Sequence, residues 1–205
     1  MLLQELLDTA RYSELQNTSI KDNDNAIVAF LNLGMLELYK RFPLSQKEYT
    51  ISAGTTTSSF GLPSDFMYVL SVYDDIVVDG EGKPVELPIN DNGQETSIYF
   101  PSHKIVQVPA YEGRTSVSII YVGKPSFYTA DDLSAEVALP ETLINCLMHY
   151  IGYKAHLGIR GDDQAENNAH WARFERSCKQ ALDLGVAYPI DSLQMGRRII
   201  DRGFA

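Results

Sequence analysis

The stretch FLNLGMLELYKRFPLSQKEYTIS, residues 30–52, contains the change of pattern that decides the fold. Up to Phe42 the apolar residues recur three or four positions apart, which predicts a helix that starts at about Asn25. Pro43 ends this helix, because proline lacks an amide proton and crowds the preceding turn. From Glu48 polar and apolar residues alternate, as they do in a half-buried strand. The chain therefore passes from helix to sheet at this point.

Helical patterns flank this region on both sides. A cluster of leucines at helical spacing predicts a short helix over residues 2–12. Towards the C-terminus, Pro140 begins a third helix, at a position where its missing amide proton costs nothing, and Gly161 ends it. Asp163 and Glu166 form a capping box for a fourth helix, which runs to about residue 184. Two helices therefore precede the strands and two follow them.

The strands between these helices are short and closely spaced. Turn-forming residues separate most of them, and the segment from Asp74 to Glu95 is predicted to consist mainly of loops. Most connections are too short for crossovers, so the strands are predicted to form one small antiparallel sheet. The candidates are residues 48–52, 66–73, 97–100, 104–108 and 115–122, with a shorter one at 76–78. Residues 55–59 are either a turn or a short strand.

This order of elements predicts an α+β fold. Each flanking helix has an apolar stripe but no partner within its own segment, so we expect the N- and C-terminal helices to form one helical bundle. The bundle would comprise residues 1–43 and 139–185, with a small antiparallel β module inserted at residues 44–138. Residues 186–205 would form an extended C-terminal arm.

Composition excludes several classes of protein. The 205 residues include 17 Lys and Arg and 27 Asp and Glu, giving a formal net charge of −10, and 44% are hydrophobic. The apolar runs are too short to span a bilayer. The acidic balance argues against electrostatic capture of DNA or of an anionic membrane. The N-terminus lacks the pattern of a secretory signal, so we expect a cytoplasmic protein with reduced thiols.

Motifs of catalysis are missing from the sequence, which contains neither a phosphate loop nor Gly-x-Ser-x-Gly. Cys146 and Cys178 lie on apolar helix faces, where cysteines are usually core residues. His149 and His156 lie about 10 Å apart along one helix, too far to ligate one metal directly. A zinc site would need further ligands, and His170 and the two cysteines are the nearby candidates. Their spacing fits a tetrahedral site poorly. We therefore predict no catalytic residue, no metal site and no cofactor.

An acidic cluster follows the longest strand candidate. Asp74, Asp75, Asp79 and Glu81 do not have the spacing of a calcium-binding loop. We interpret them as part of a solvated turn region.

Tyrosine is abundant, with twelve in the chain. One interpretation is cross-strand packing, because tyrosine favours strands. The other is an interface, where tyrosine offers a large contact area with a polar tip. If the tyrosine-rich sheet instead served as a platform for ligands, the chain would be a ligand- or glycan-binding module. Seven of these tyrosines lie in the β region: Tyr49, Tyr68, Tyr73, Tyr99, Tyr111, Tyr121 and Tyr128.

The C-terminal segment combines basic and apolar residues in an otherwise acidic chain. It is either a free tail or an arm that pairs arginines and inserts apolar side chains into a partner. The residues predicted to make such contacts are Arg197, Arg198, Ile199, Ile200, Arg202 and Phe204.

Several stretches together resemble a known family. They are the helix Asn25–Phe42 leading through Tyr49-Thr-Ile, then Gly61-Leu-Pro-Ser-Asp-Phe66, Val69-Leu-Ser-Val-Tyr73, Leu87-Pro-Ile-Asn90 and the run from Leu139 to Cys178. The sequence resembles the head-to-tail adaptor (connector) proteins of tailed bacteriophages, above all those of short-tailed phages. The resemblance covers residues from about 20 to 185.

The resemblance implies a structural virion protein rather than an enzyme. Such adaptors are assembled in the host cytoplasm and form a ring, usually a dodecamer, beneath the portal at the head–tail junction. Tail or nozzle proteins attach to the ring, and genomic DNA passes through it during ejection. In related adaptors a C-terminal extension embraces the portal, which here would correspond to residues 186–205.

Overall fold

The computed structural model describes residues 1–54, 56–78, 84–160 and 169–185. The chain divides into two units. The first, here called the helical unit, comprises Met1–Leu44 and Pro125–Ala205, and the second, the β unit, comprises Ser45–Lys124. The predicted C-terminal arm, residues 186–205, lies outside the described residues. Within the described residues, no helix combines the length and hydropathy needed to cross a membrane.

The described part of the helical unit contains four helices: α1, Leu3–Tyr12; α2, Asp24–Arg41; α3, Glu141–Arg160; and α4, Ala169–Asp183. At the start of α2 the Asn23 side chain accepts a hydrogen bond from the Ala26 amide, which satisfies a donor that the helix leaves free. The same helix is capped by Phe42, directly before Pro43, as the sequence predicts. Gly161 and the predicted capping box that follows it lie outside the described residues.

Helix α3 contacts α1, α2 and α4. Its approach to α2 is close at Gly34, where an added Cβ would lie 2.5 Å from Leu147 Cδ1 and 3.0 Å from Tyr150 Cδ1. A side chain at this position would have to displace both neighbours. The absence of a side chain at Gly34 therefore sets the distance between α2 and α3.

The segment between the last strand and α3 also belongs to the helical unit. It supplies the Ala135 carbonyl that accepts from the Leu3 amide, at 2.9 Å, at the start of α1. This amide is one of the donors that a helix cannot satisfy internally. The Asn32 side chain fixes the same segment, because it donates to the Tyr128 carbonyl at 2.8 Å and accepts from the Tyr128 amide at 3.0 Å.

Among the described residues of the β unit, every pair of named strands is antiparallel. The strands form two sheets, with the orders β1-β7-β3-β4 and β2-β6-β5. The strands are β1, Gln46–Ser52; β2, Ser58–Gly61; β3, Phe66–Val78; β4, Pro84–Glu86; β5, Tyr99–Ser102; β6, Ile105–Val108; and β7, Ser116–Gly123.

One apolar core serves both sheets of the β unit. Val72 and Ile119 contribute to it from the first sheet, and Val106 contributes from the second. Strand β7 pairs with β1 on one side and β3 on the other, and six of its eight residues are buried. Strand β1 lies at the sheet edge, and of its residues only Ile51 is buried.

The predicted combination of a helical bundle and one small β module is wrong. The described residues form a mixed α+β fold with four helices and seven strands in two antiparallel sheets. Side-chain alternation shows that a segment is a strand, but it does not show which strand it pairs with. The expected single sheet is therefore divided, and the β unit has a two-sheet core of its own. The short strand Pro84–Glu86 was not predicted.

Candidate functional site

The residues predicted to contact a portal lie outside the described residues. Their contact with a portal stays a prediction. These residues are Arg197, Arg198, Ile199, Ile200, Arg202 and Phe204.

The two cysteines of the chain meet inside the helical unit. Cys146 of α3 and Cys178 of α4 are both buried, and their thiols are hydrogen-bonded to each other. This hydrogen bond, together with burial, raises the pKa of Cys178. A buried, protonated thiol is a poor nucleophile. Both side chains are core residues, as their positions on apolar helix faces predict.

Three histidines of the helical unit gather around Glu14, in the turn after α1. His149 Nδ1 lies 3.2 Å from Glu14 Oε1, and His170 Nδ1 lies 2.8 Å from Glu14 Oε2. The ring of His156 stacks on that of His170 with 4.5 Å between the centroids. From the sequence these histidines are candidate metal ligands, whereas Glu14 gives no signal because it is an isolated acid in a polar stretch.

The side chains considered for a zinc site are divided between two clusters. Cys146 and Cys178 face each other, whereas His149 and His170 face Glu14. In the part of the chain that the structure describes, no group of three or more His, Cys, Asp or Glu side chains is arranged to hold a metal ion.

One residue of the predicted solvated turn is buried in the β unit. Asp74 accepts a hydrogen bond at 3.1 Å from Arg114 Nε, and the two side chains are 2% and 1% exposed. For Asp74 the solvated interpretation is therefore wrong. The alternation of the strand did not reveal the burial, because the cation comes from a position forty residues away in the chain. Asp79 and Glu81 lie outside the described residues.

A second arginine organises the aromatic side chains of α4. Arg41, at the end of α2, donates two hydrogen bonds of 2.9 Å to the Glu175 carboxylate and one of 3.0 Å to Glu37. Its guanidinium also lies over the rings of Trp171 and Phe174. Burial opposes the charge, but the bonds to the two carboxylates outweigh it and raise the pKa of Arg41. The arrangement ties α2 to α4.

Several tyrosines of the β unit use their hydroxyl groups internally. Tyr49 and Tyr99 donate to backbone carbonyls of the same unit at 3.2 and 2.9 Å, and Tyr121 donates to Asp65 at 3.2 Å. Tyr111 differs, since 42% of it is exposed. This pattern favours cross-strand packing over a platform on which sugars or bases would stack.

Neither the Cys146–Cys178 pair nor the group of histidines around Glu14 is arranged for a recognisable reaction. The class of protein is therefore decided by the family relationship. The model of the SU10 adaptor protein family matches residues 1–193 of the 205. The chain belongs to the SU10 adaptor protein family. No curated protein matches the sequence. The resemblance to phage head-to-tail adaptors, drawn above from residues of about 20–185, is confirmed.

Membership makes this SU10-family adaptor a structural bacteriophage protein and a component of the virion, where it contacts other virion components. The family role points to a non-enzymatic protein. The match includes the whole β unit and all four described helices, so both units are part of the adaptor. It ends before Arg197, and the predicted portal contacts therefore lie beyond the matched residues.

Proposed function

We propose that this adaptor forms a ring that connects the portal to the tail and gives passage to the genome during ejection. The observation that carries the proposal is the family match over residues 1–193. By analogy with head-to-tail adaptors, the ring is a dodecamer at the head–tail junction and is assembled in the host cytoplasm. Its partners are the portal on one side and tail or nozzle proteins on the other.

The net charge of the chain supports a passage role. With 27 acidic and 17 basic residues, the formal net charge is −10. Tight binding to DNA depends on neutralising backbone phosphates with lysine and arginine. An acidic ring repels the duplex and lets it slide, whereas a basic ring would retain it.

A ligand- or glycan-binding module is the alternative that the tyrosines suggest. It has less support, because Tyr49, Tyr99 and Tyr121 use their hydroxyl groups within the β unit. A sugar-binding platform needs exposed aromatic faces and free polar groups beside them.

The proposed function is tested by mixing the full chain with the portal protein of the same phage. Native mass spectrometry should show a stoichiometric complex of a portal ring and an adaptor ring. The adaptor alone is the reference sample, and a monomer there is compatible with the proposal, since a ring can assemble on the portal. Failure of the chain to bind the portal, together with binding to a glycan array, would contradict the proposed function.

The C-terminal arm is proposed to attach the adaptor to the portal. Reversing the charges of Arg197, Arg198 and Arg202 to glutamate should abolish portal binding, because arginine pairs with acidic partners and glutamate is repelled by them. Circular dichroism should show an unchanged fold. Portal binding is measured by co-sedimentation.

A charge-matched control separates the arm from a general effect of charge. Lys21, Lys104 and Lys124 are exposed outside the arm, and changing all three to glutamate alters the net charge by the same amount. This triple variant should still bind the portal. Equal loss of binding in both variants, or full binding by the arm variant, would refute the role of the arm.

A further inference from the structure

We infer that Glu14, His149, His156 and His170 form an acid-sensitive clasp, which holds the turn after α1 against α3 and α4 at neutral pH and loosens on acidification. The side chains of Glu14, His149 and His170 are 12%, 24% and 18% exposed, so the cluster is largely withdrawn from water. It joins three parts of the helical unit that are far apart in the sequence. The adaptor role does not account for it.

The clasp packs directly on the backbone of α3. An added Cβ at Gly152 would lie 2.7 Å from His170 Nδ1 and 2.9 Å from Glu14 Oε2. The missing side chain is what lets the two groups approach the helix and each other. His156 completes the arrangement, since its Nε2 lies 3.3 Å from the Glu14 backbone carbonyl.

One negative charge faces several groups that become positive in acid. Glu14 contributes from the turn, His149 and His156 from α3, and His170 from α4, where Arg173 adds a fixed positive charge. Neutral imidazoles lie beside the carboxylate without repelling one another. When His170 becomes protonated in acid, its charge adds to that of Arg173 beside a single carboxylate. The stacked rings of His156 and His170 then repel each other at close range.

The pH range follows from the environment of His170. Burial lowers its pKa from the ordinary 6.5, Glu14 opposes this change, and the charges of His156 and Arg173 add to it. Because the folded pKa lies below that of the unfolded chain, the unfolded chain binds protons more readily in mild acid. The stabilising contribution of neutral His170 is complete above 6.5 and decreases as the pH falls towards the folded pKa.

The clasp is tested on the unaltered full chain by following the imidazole C2–H resonances from about pH 8 to about pH 5, the interval in which histidine titrates. His103, which is exposed in the β unit and lies outside the cluster, is the control position. We expect the pKa of His170 to lie below the ordinary 6.5. Trp171, the single tryptophan of the chain, adjoins His170, and its fluorescence should change with the same midpoint. A His170 pKa at or above 6.5, or constant Trp171 fluorescence, would overturn the inference.

Two variants separate a titrating clasp from simple packing. His156→Gln removes one of the stacked charges, so the acid-induced change in Trp171 fluorescence should shrink, while the control His103→Gln should retain it. Glu14→Gln removes the charge that favours protonated His170, so the His170 midpoint should move to lower pH. An unchanged midpoint in Glu14→Gln would assign Glu14 a packing role and overturn the clasp.

Discussion

Replacing Arg114 with methionine should destabilise the β unit by about 3–5 kcal/mol, the usual effect of removing one partner of a buried ion pair. The substitution leaves the Asp74 carboxylate in the protein interior without the guanidinium that balances its charge. Arg114 also donates to the carbonyl groups of Pro109 and Thr96, at 3.3 and 3.2 Å. Its removal therefore takes a hydrogen-bond donor from two loop carbonyls as well as from the Asp74 carboxylate.

A surface pair in the same unit provides the matched control. Lys47 and Asp65 lie 2.6 Å apart, but their side chains are 48% and 32% exposed. Lys47→Met should therefore destabilise by at most about 1 kcal/mol, as is typical of solvated pairs. Urea denaturation followed by far-ultraviolet circular dichroism gives both values. Equal losses of stability in the two variants would show that removing Arg114 does not leave an uncompensated buried charge at Asp74.

A double variant distinguishes loss of the pair from loss of the arginine itself. Arg114→Met combined with Asp74→Leu removes both charges and replaces them with apolar side chains. A protein in which a buried ion pair is replaced by apolar side chains is often no less stable than the original. The double variant should therefore be more stable than Arg114→Met alone, and a further loss would indicate that the other hydrogen bonds dominate.

The helices could be predicted from the sequence because their determinants are local. The predicted helix Asn25–Phe42 corresponds to α2, Asp24–Arg41, whose boundaries depend on a capping side chain and on Pro43. The strand at Glu48–Ser52 was recognised for the same reason, since alternation is a property of neighbouring residues. Each of these signals lies within a few residues of the element that it defines.

The pairing of strands and the buried charges could not be predicted, because both depend on distant residues. Strand β2, Ser58–Gly61, pairs with β6 rather than with β1 or β3, and nothing in its four residues specifies that choice. The sequence around Asp74 predicts a solvated acid, but in the structure this side chain is buried beside Arg114. Glu14 likewise acquires its environment only when α3 and α4 fold against the turn that contains it.

Replacing Phe174 with alanine should destabilise the helical unit by about 3–5 kcal/mol, the usual effect of removing a fully buried phenylalanine. Its ring lies 5.3 Å from that of Tyr150 and 5.2 Å from that of Trp171, measured between centroids. The guanidinium carbon of Arg41 lies 4.7 Å from its ring centroid on another side. The substitution would therefore leave a cavity and weaken the contact between α2 and α4.

An exposed residue directly after α4 separates this effect from a general intolerance of this region to substitution. Leu184 is 72% exposed, so Leu184→Ala should change the free energy of unfolding by no more than about 0.5 kcal/mol. Phe174→Leu should fall between the two, because it keeps an apolar side chain but fills less of the space. Urea denaturation followed by circular dichroism avoids a direct effect of the substitution on Trp171 fluorescence. If Phe174→Ala were no more destabilising than Leu184→Ala, the aromatic cluster around Arg41 would not hold α4 in place.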